Sequence, residues 1–166
     1  SIFRPSLGVW FVQNSATPTF TVVGFGNATD ILAPGDYDGD GKTDLGVFRA
    51  SEGIWYLFSK GNTFTTRPFG ASGDIPAPAD YNGDGKTDIA VFRPSTATWY
   101  IANSDSQGSV SIVGFGANGD QPTFGDFDGD GKGDIAIYRP NGATGGEWWI
   151  RRSSNESVFA TQFGNA

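Results

Sequence analysis

The sequence predicts an all-β chain built from four repeated units, on three observations. First, Asp36-Tyr37-Asp38-Gly39-Asp40-Gly41-Lys42-Thr43-Asp44 returns as Asp80-Tyr81-Asn82-Gly83-Asp84-Gly85-Lys86-Thr87-Asp88 and as Asp126-Phe127-Asp128-Gly129-Asp130-Gly131-Lys132-Gly133-Asp134, 44 and then 46 residues apart. Second, each copy runs straight into a β-branched or aromatic stretch: Leu45-Gly46-Val47-Phe48, Ile89-Ala90-Val91-Phe92 and Ile135-Ala136-Ile137-Tyr138. Third, 25 Gly, 14 Phe, 5 Tyr and 5 Trp in 166 residues fit many short strands joined by tight turns. No window carries a sustained helical hydrophobic period.

Taken in order, each unit reads as four strands. The first runs into the acidic loop, over residues 31–37, 75–81 and 121–127. The second leaves the loop toward Phe48-Arg49-Ala50, Phe92-Arg93-Pro94 and Tyr138-Arg139-Pro140, with Phe3-Arg4-Pro5 as an earlier copy. The third carries Trp10, Trp55, Trp99 or Trp148, each followed by another aromatic residue. The fourth ends at Phe25-Gly26, Phe69-Gly70, Phe115-Gly116 or Phe163-Gly164, and a Phe-Gly-x-x-x-Asp turn follows the first three, with Asp30, Asp74 and Asp120 as local caps. The step from Phe to Trp is seven residues in three copies; in the fourth, Asn141-Gly142-Ala143-Thr144-Gly145-Gly146-Glu147 lengthens that turn by three. Four strands in about 45 residues is the size of a β-propeller blade. The expectation is a single repeat array over 1–166, with units at 1–30, 31–74, 75–120 and 121–166. The first unit is incomplete, because Ser1-Ile2-Phe3 enters at the second strand.

The acidic loops have the chemistry of a hard-cation site. Oxygen-bearing side chains at positions 1, 3 and 5 lie on alternate residues, so a tight loop turns them all inward. Glycine at position 6 permits the sharp bend, and the position-7 carbonyl then faces the ion. The expected ligands are Asp36, Asp38, Asp40, the Lys42 carbonyl and Asp44; Asp80, Asn82, Asp84, the Lys86 carbonyl and Asp88; and Asp126, Asp128, Asp130, the Lys132 carbonyl and Asp134. The lysine ammonium groups point into water. Oxygen donors select calcium over zinc or copper, and magnesium fits less well because it prefers a compact octahedron that keeps its waters. An EF-hand is excluded: its position-12 Glu is replaced by Val47, Val91 or Ile137, inside a strand. One loop alone would serve equally well as an ion-free turn of Asp and Gly; three copies at identical offsets decide for three calcium sites.

Charge supports this. The loops hold four, three and four of the 18 acidic residues, and three divalent ions would bring the formal net charge from −7 to −1. There is no basic patch for phosphate contact, which excludes nucleic acid, and no apolar run of membrane-spanning length. Without His or Cys, nucleophilic triads that use either are impossible. The carboxylates outside the loops (Asp30, Asp74, Asp105, Asp120, Glu52, Glu147 and Glu156) are scattered over turns, so no glycosidase pair forms and the chain reads as non-catalytic. Moderate-affinity calcium sites work at extracellular concentrations, which predicts a secreted or cell-surface protein. Two sequons, Asn27-Ala28-Thr29 and Asn155-Glu156-Ser157, permit glycosylation there.

The Phe-Gly step, the Asp that follows it, and the Asp-x-Asp-x-Asp-Gly-x-x-Asp loop together resemble the FG-GAP/VCBS repeats, and the resemblance covers essentially the whole chain. These repeats form propeller blades in the integrin α-subunit head and in many secreted bacterial surface proteins. The resemblance implies calcium held between the first and second strands of a blade, and structural or adhesive work toward a protein or glycan partner. The alternative is a lectin-like carbohydrate-binding propeller, free or appended to a polysaccharide-degrading enzyme. The repeated arginines read as packing partners, with Arg93 stacked on Trp99, and the repeated tryptophans as filling between blades. Trp149 and the longer turn before it depart from the repeat and mark the spot for special binding. A first unit without its inner strand predicts self-association or continuation in a longer chain.

Overall fold

The computed structural model describes residues 1–15, 17–104, 108–142 and 145–162. It is an all-β propeller of four antiparallel blades. The first has three strands, β1 (Ile2–Arg4), β2 (Val9–Gln13) and β3 (Phe20–Gly24). The other three have four each. The second contains β4 (Ile31–Leu32), β5 (Leu45–Arg49), β6 (Ile54–Ser59) and β7 (Thr63–Pro68). The third contains β8 (Ile75–Pro76), β9 (Ile89–Arg93), β10 (Thr98–Ala102) and β11 (Val110–Gly114). The fourth contains β12 (Gln121–Gly125), β13 (Asp134–Gly142), β14 (Gly145–Arg151) and β15 (Val158–Gln162). Sequence neighbours pair throughout, so each blade is a meander.

The innermost strands are shorter than expected. β4 and β8 have two residues each, and pairing continues past them only as the bridges Gly35–Asp44 and Ala79–Asp88. Pro34 falls between Ala33 and Gly35, whose N–H groups bond to the neighbouring strand, and Pro78 falls between the Ala77 N–H and the Ala79 carbonyl, which also bond to it, so the missing donors cost the ladder nothing. Tyr37 and Tyr81 lie beyond these bridges, in the loop.

Period-two alternation buries one face of each strand against the next blade. Trp10, Trp55 and Trp99 are buried, and each donates its indole N–H to a carbonyl of its own blade, Phe25, Phe69 or Phe115, at 3.0 Å. The cluster around each indole takes in a residue of the following blade: Val47 beside Trp10, Val91 beside Trp55, Ile137 beside Trp99. These are the position-12 residues where an EF-hand would place Glu. The tryptophans therefore fill the space between blades, and burying one contributes on the order of 5 kcal/mol of transfer free energy. Trp148 is only half-buried, since among the described residues no further sheet covers it.

Candidate metal centres

Each acidic loop joins the innermost strand of a blade to the second, and its carboxylates are held by the loop's own amides. Asp36 accepts from the N–H groups of Gly39 (2.8 Å), Asp40 (3.2 Å) and Gly41 (2.8 Å). Asp80 and Asp126 accept from the corresponding three. At position 3, Asp38, Asn82 and Asp128 take the N–H two residues on; at position 5, Asp40, Asp84 and Asp130 take that of the following lysine. Gly41, Gly85 and Gly131 at position 6 have φ of 80°, 84° and 88°, a backbone region other residues rarely adopt. In the first and third loops, ligand oxygens of Asp36, Asp38 and Asp40, and of Asp126, Asp128 and Asp130, all lie within 4.8 Å of one another. The second loop places the amide oxygen of Asn82 at the same offset.

Position 9 differs in being buried. Asp44, Asp88 and Asp134 are at most 7 % exposed and accept the position-2 N–H from Tyr37, Tyr81 or Phe127. Burial pushes the Asp44 carboxyl up from its ordinary value, and the neighbouring Asp38 and Asp36 add to the effect. Burial does the same to Asp88, with Asp84 contributing. Carboxylates that are both desolvated and crowded by like charge are a donor set that a divalent cation compensates. Hard oxygens on a preformed loop fit calcium, with Asp36, Asp38, Asp40, Asp44 and the Lys42 carbonyl, and their counterparts, able to hold it.

Serines that sequence reasoning did not single out brace two of the loops. Ser104 donates its N–H to Asp88 and its hydroxyl to Asp84 (2.7 Å). Ser153 does likewise to Asp134 (2.7 Å) and Asp130 (2.8 Å), and the Ser154 hydroxyl reaches Asp128 at 2.6 Å. At Asp84, burial works upward but is outweighed by the hydrogen bonds from Ser104, Lys86 and Asn82, so its carboxyl lies below the usual value. The signal was available: Ser104 and Ser153 each follow their blade's tryptophan by five residues.

Adjacent loops also touch. The Asp36 N–H donates to the Thr87 hydroxyl (2.9 Å), and the Thr87 N–H to the Asp36 carbonyl (2.7 Å). Lys42 is mostly exposed, with its ammonium 3.7 Å from Asp40, while the stem of Lys86 lies across Gly39.

The arginines are placed differently from the expectation. Arg93 does not stack on Trp99; it lies 4.5 Å from the Tyr100 ring, as Arg49 lies over Tyr56 and Arg139 over Trp149. Arg93 pairs with Thr98 across the hairpin, so Tyr100 shares its face and Trp99 faces the opposite way, opposite Phe92. Each guanidinium also forks onto the Asp of the preceding turn: Arg49 on Asp30, Arg93 on Asp74, Arg139 on Asp120, at 2.8–3.0 Å. Those aspartates cap their turns as expected, through the N–H groups of Asn27, Ala71 and Ala117. Trp149 thus takes the place that Tyr56 and Tyr100 hold elsewhere, its indole N–H donating to Glu147 at 3.1 Å. It follows the repeat rather than breaking it; Ala143 and Thr144 of the longer turn lie outside the described residues.

A family model described as FG-GAP-like repeat matches twice, over residues 36–91 and 80–137. Each match opens at position 1 of one loop and closes at position 12 of the next. Together they span more than half of the chain, which belongs to the FG-GAP-like repeat family. Searches of curated proteins and of solved structures returned no match. Among the described residues no helix is long and apolar enough to cross a membrane.

Proposed function

We propose that the chain is a calcium-stabilised, non-catalytic binding module working outside the cell, its four units acting as one array that presents loops and clefts to a protein or glycan partner. One observation carries this reading: the same oxygen donors, at the same offsets and in the same hydrogen-bond frame, recur in three loops whose buried position-9 carboxylates need compensation. Calcium would supply folding free energy, because the unfolded chain lacks the assembled sites. Chelation is expected to lower the melting temperature substantially, and a melting curve indifferent to chelator would overturn the ligand assignment. The glycan-binding alternative has its own support in a cleft between the second and third blades.

A further inference from the structure

The outer strand of each blade turns alternate residues toward its neighbour. Counted back from the Phe-Gly marker, Val23 of β3 and Val113 of β11 stand at equivalent positions, each packed partly buried against an inter-blade cluster. In the second blade that position is Arg67. It is exposed, and among the described residues its side chain forms no hydrogen bond or salt bridge. A guanidinium thus replaces an apolar packing residue in a chain of net charge −7, without a side-chain partner among the described residues.

What Arg67 faces is a cleft of about 490 Å³ between the second and third blades. That is within the roughly 300–1,000 Å³ range of small-molecule sites. Leu57, Phe69 and Ile89 give it apolar wall, while Ser59, Thr65 and Asn103 line it with hydroxyl and amide groups. Lys86 lines it from the third blade as a second cation, and Asp38 of the first acidic loop lines it too, a carboxylate that a bound calcium ion would neutralise. An apolar wall edged with hydroxyls and amides suits a polyhydroxylated ring, and a planar guanidinium suits a carboxylate.

We propose that this cleft binds an acidic saccharide, one bearing a uronic-acid carboxylate held by Arg67, with Lys86 strengthening the positive field. This rests on the reading of the chain as a binding module and gives it a ligand class. The test is calorimetric titration of the calcium-loaded protein with an oligogalacturonate, a neutral oligosaccharide of equal length, and a polyglutamate peptide. Binding of the oligogalacturonate alone, weakened by salt, is expected. Arg67→Val installs the residue that the first and third blades carry, so it should fold and melt normally while losing at least about tenfold in affinity, the worth of one charge-assisted contact. Lys86→Ala should lose less. Equal binding by Arg67→Val, equal affinity for the neutral sugar, preference for polyglutamate, or no binding of oligogalacturonate at millimolar concentration would each overturn the proposal. Because Tyr37, Asp38, Lys86 and Thr87 of two acidic loops also line the cleft, calcium titrations of the wild type and of Arg67→Val are run alongside: intact calcium binding without oligogalacturonate binding overturns this proposal and leaves the calcium reading standing.

Discussion

At the scale of single residues, the loops separate two jobs that carboxylates perform. Asp36, Asp80 and Asp126 organise the loop by gathering three amides each, whereas Asp40, Asp84 and Asp130 accept the N–H of the lysine two residues on. Asp40→Ala should therefore abolish one calcium site and leave the other two, which isothermal titration would register as one fewer ion bound. The buried position-9 groups set the pH response. Asp44 and Asp88 titrate above their ordinary 3.8 in the folded chain, so between the two values the folded state binds more protons than the unfolded. Their contribution to the stability of calcium-free protein is complete below that ordinary value and declines as pH rises through the window above it. Calcium needs the same groups ionised, so its affinity rises across that window. Melting temperature should fall as pH rises above about 4 without calcium, and rise over the same interval with saturating calcium. Parallel curves would refute the assignment.

Between elements, the blades are joined by side chains that make sense only in pairs. A Cβ on Gly35 would come within 2.6 Å of the Thr87 methyl, and one on Gly133 within 2.8 Å of the Ala79 methyl. Where the later loop carries threonine the earlier strand carries glycine, and where the earlier carries alanine the later carries glycine. Gly133→Thr should thus destabilise by about 1–3 kcal/mol through overpacking, and Ala79→Gly should recover much of that loss in a double-mutant cycle. The arginine forks are a second such device. Asp74 is buried, so Arg93→Ala leaves an uncompensated carboxylate and should cost about 3–5 kcal/mol by chemical denaturation. Arg4→Ala removes a side chain that among the described residues has only its stack on Phe11, and should cost no more than about 1 kcal/mol. Sequence periodicity was enough to find the strands, the loops and the inter-blade tryptophans, because each repeats at a constant offset. It could not pair Arg93 correctly, since adjacent aromatic residues on β10 face opposite ways and only the register says which one meets the arginine. Nor could it foresee Gly35 facing Thr87, a contact between loops that are distant in sequence and adjacent only once blades stack.

Across the whole molecule, stability accumulates blade against blade, as in other repeat arrays. The first blade has an open edge at β1, where Ile2 is 71 % exposed, while every other blade covers the equivalent strand with an inner one. Such an edge is a template for another strand. The central claim concerns the loops, and calorimetric titration of chelator-stripped protein with calcium tests it most directly. The account predicts three ions per chain and a melting temperature that climbs as they bind; an absence of calcium binding with an unmoved melting curve would contradict it.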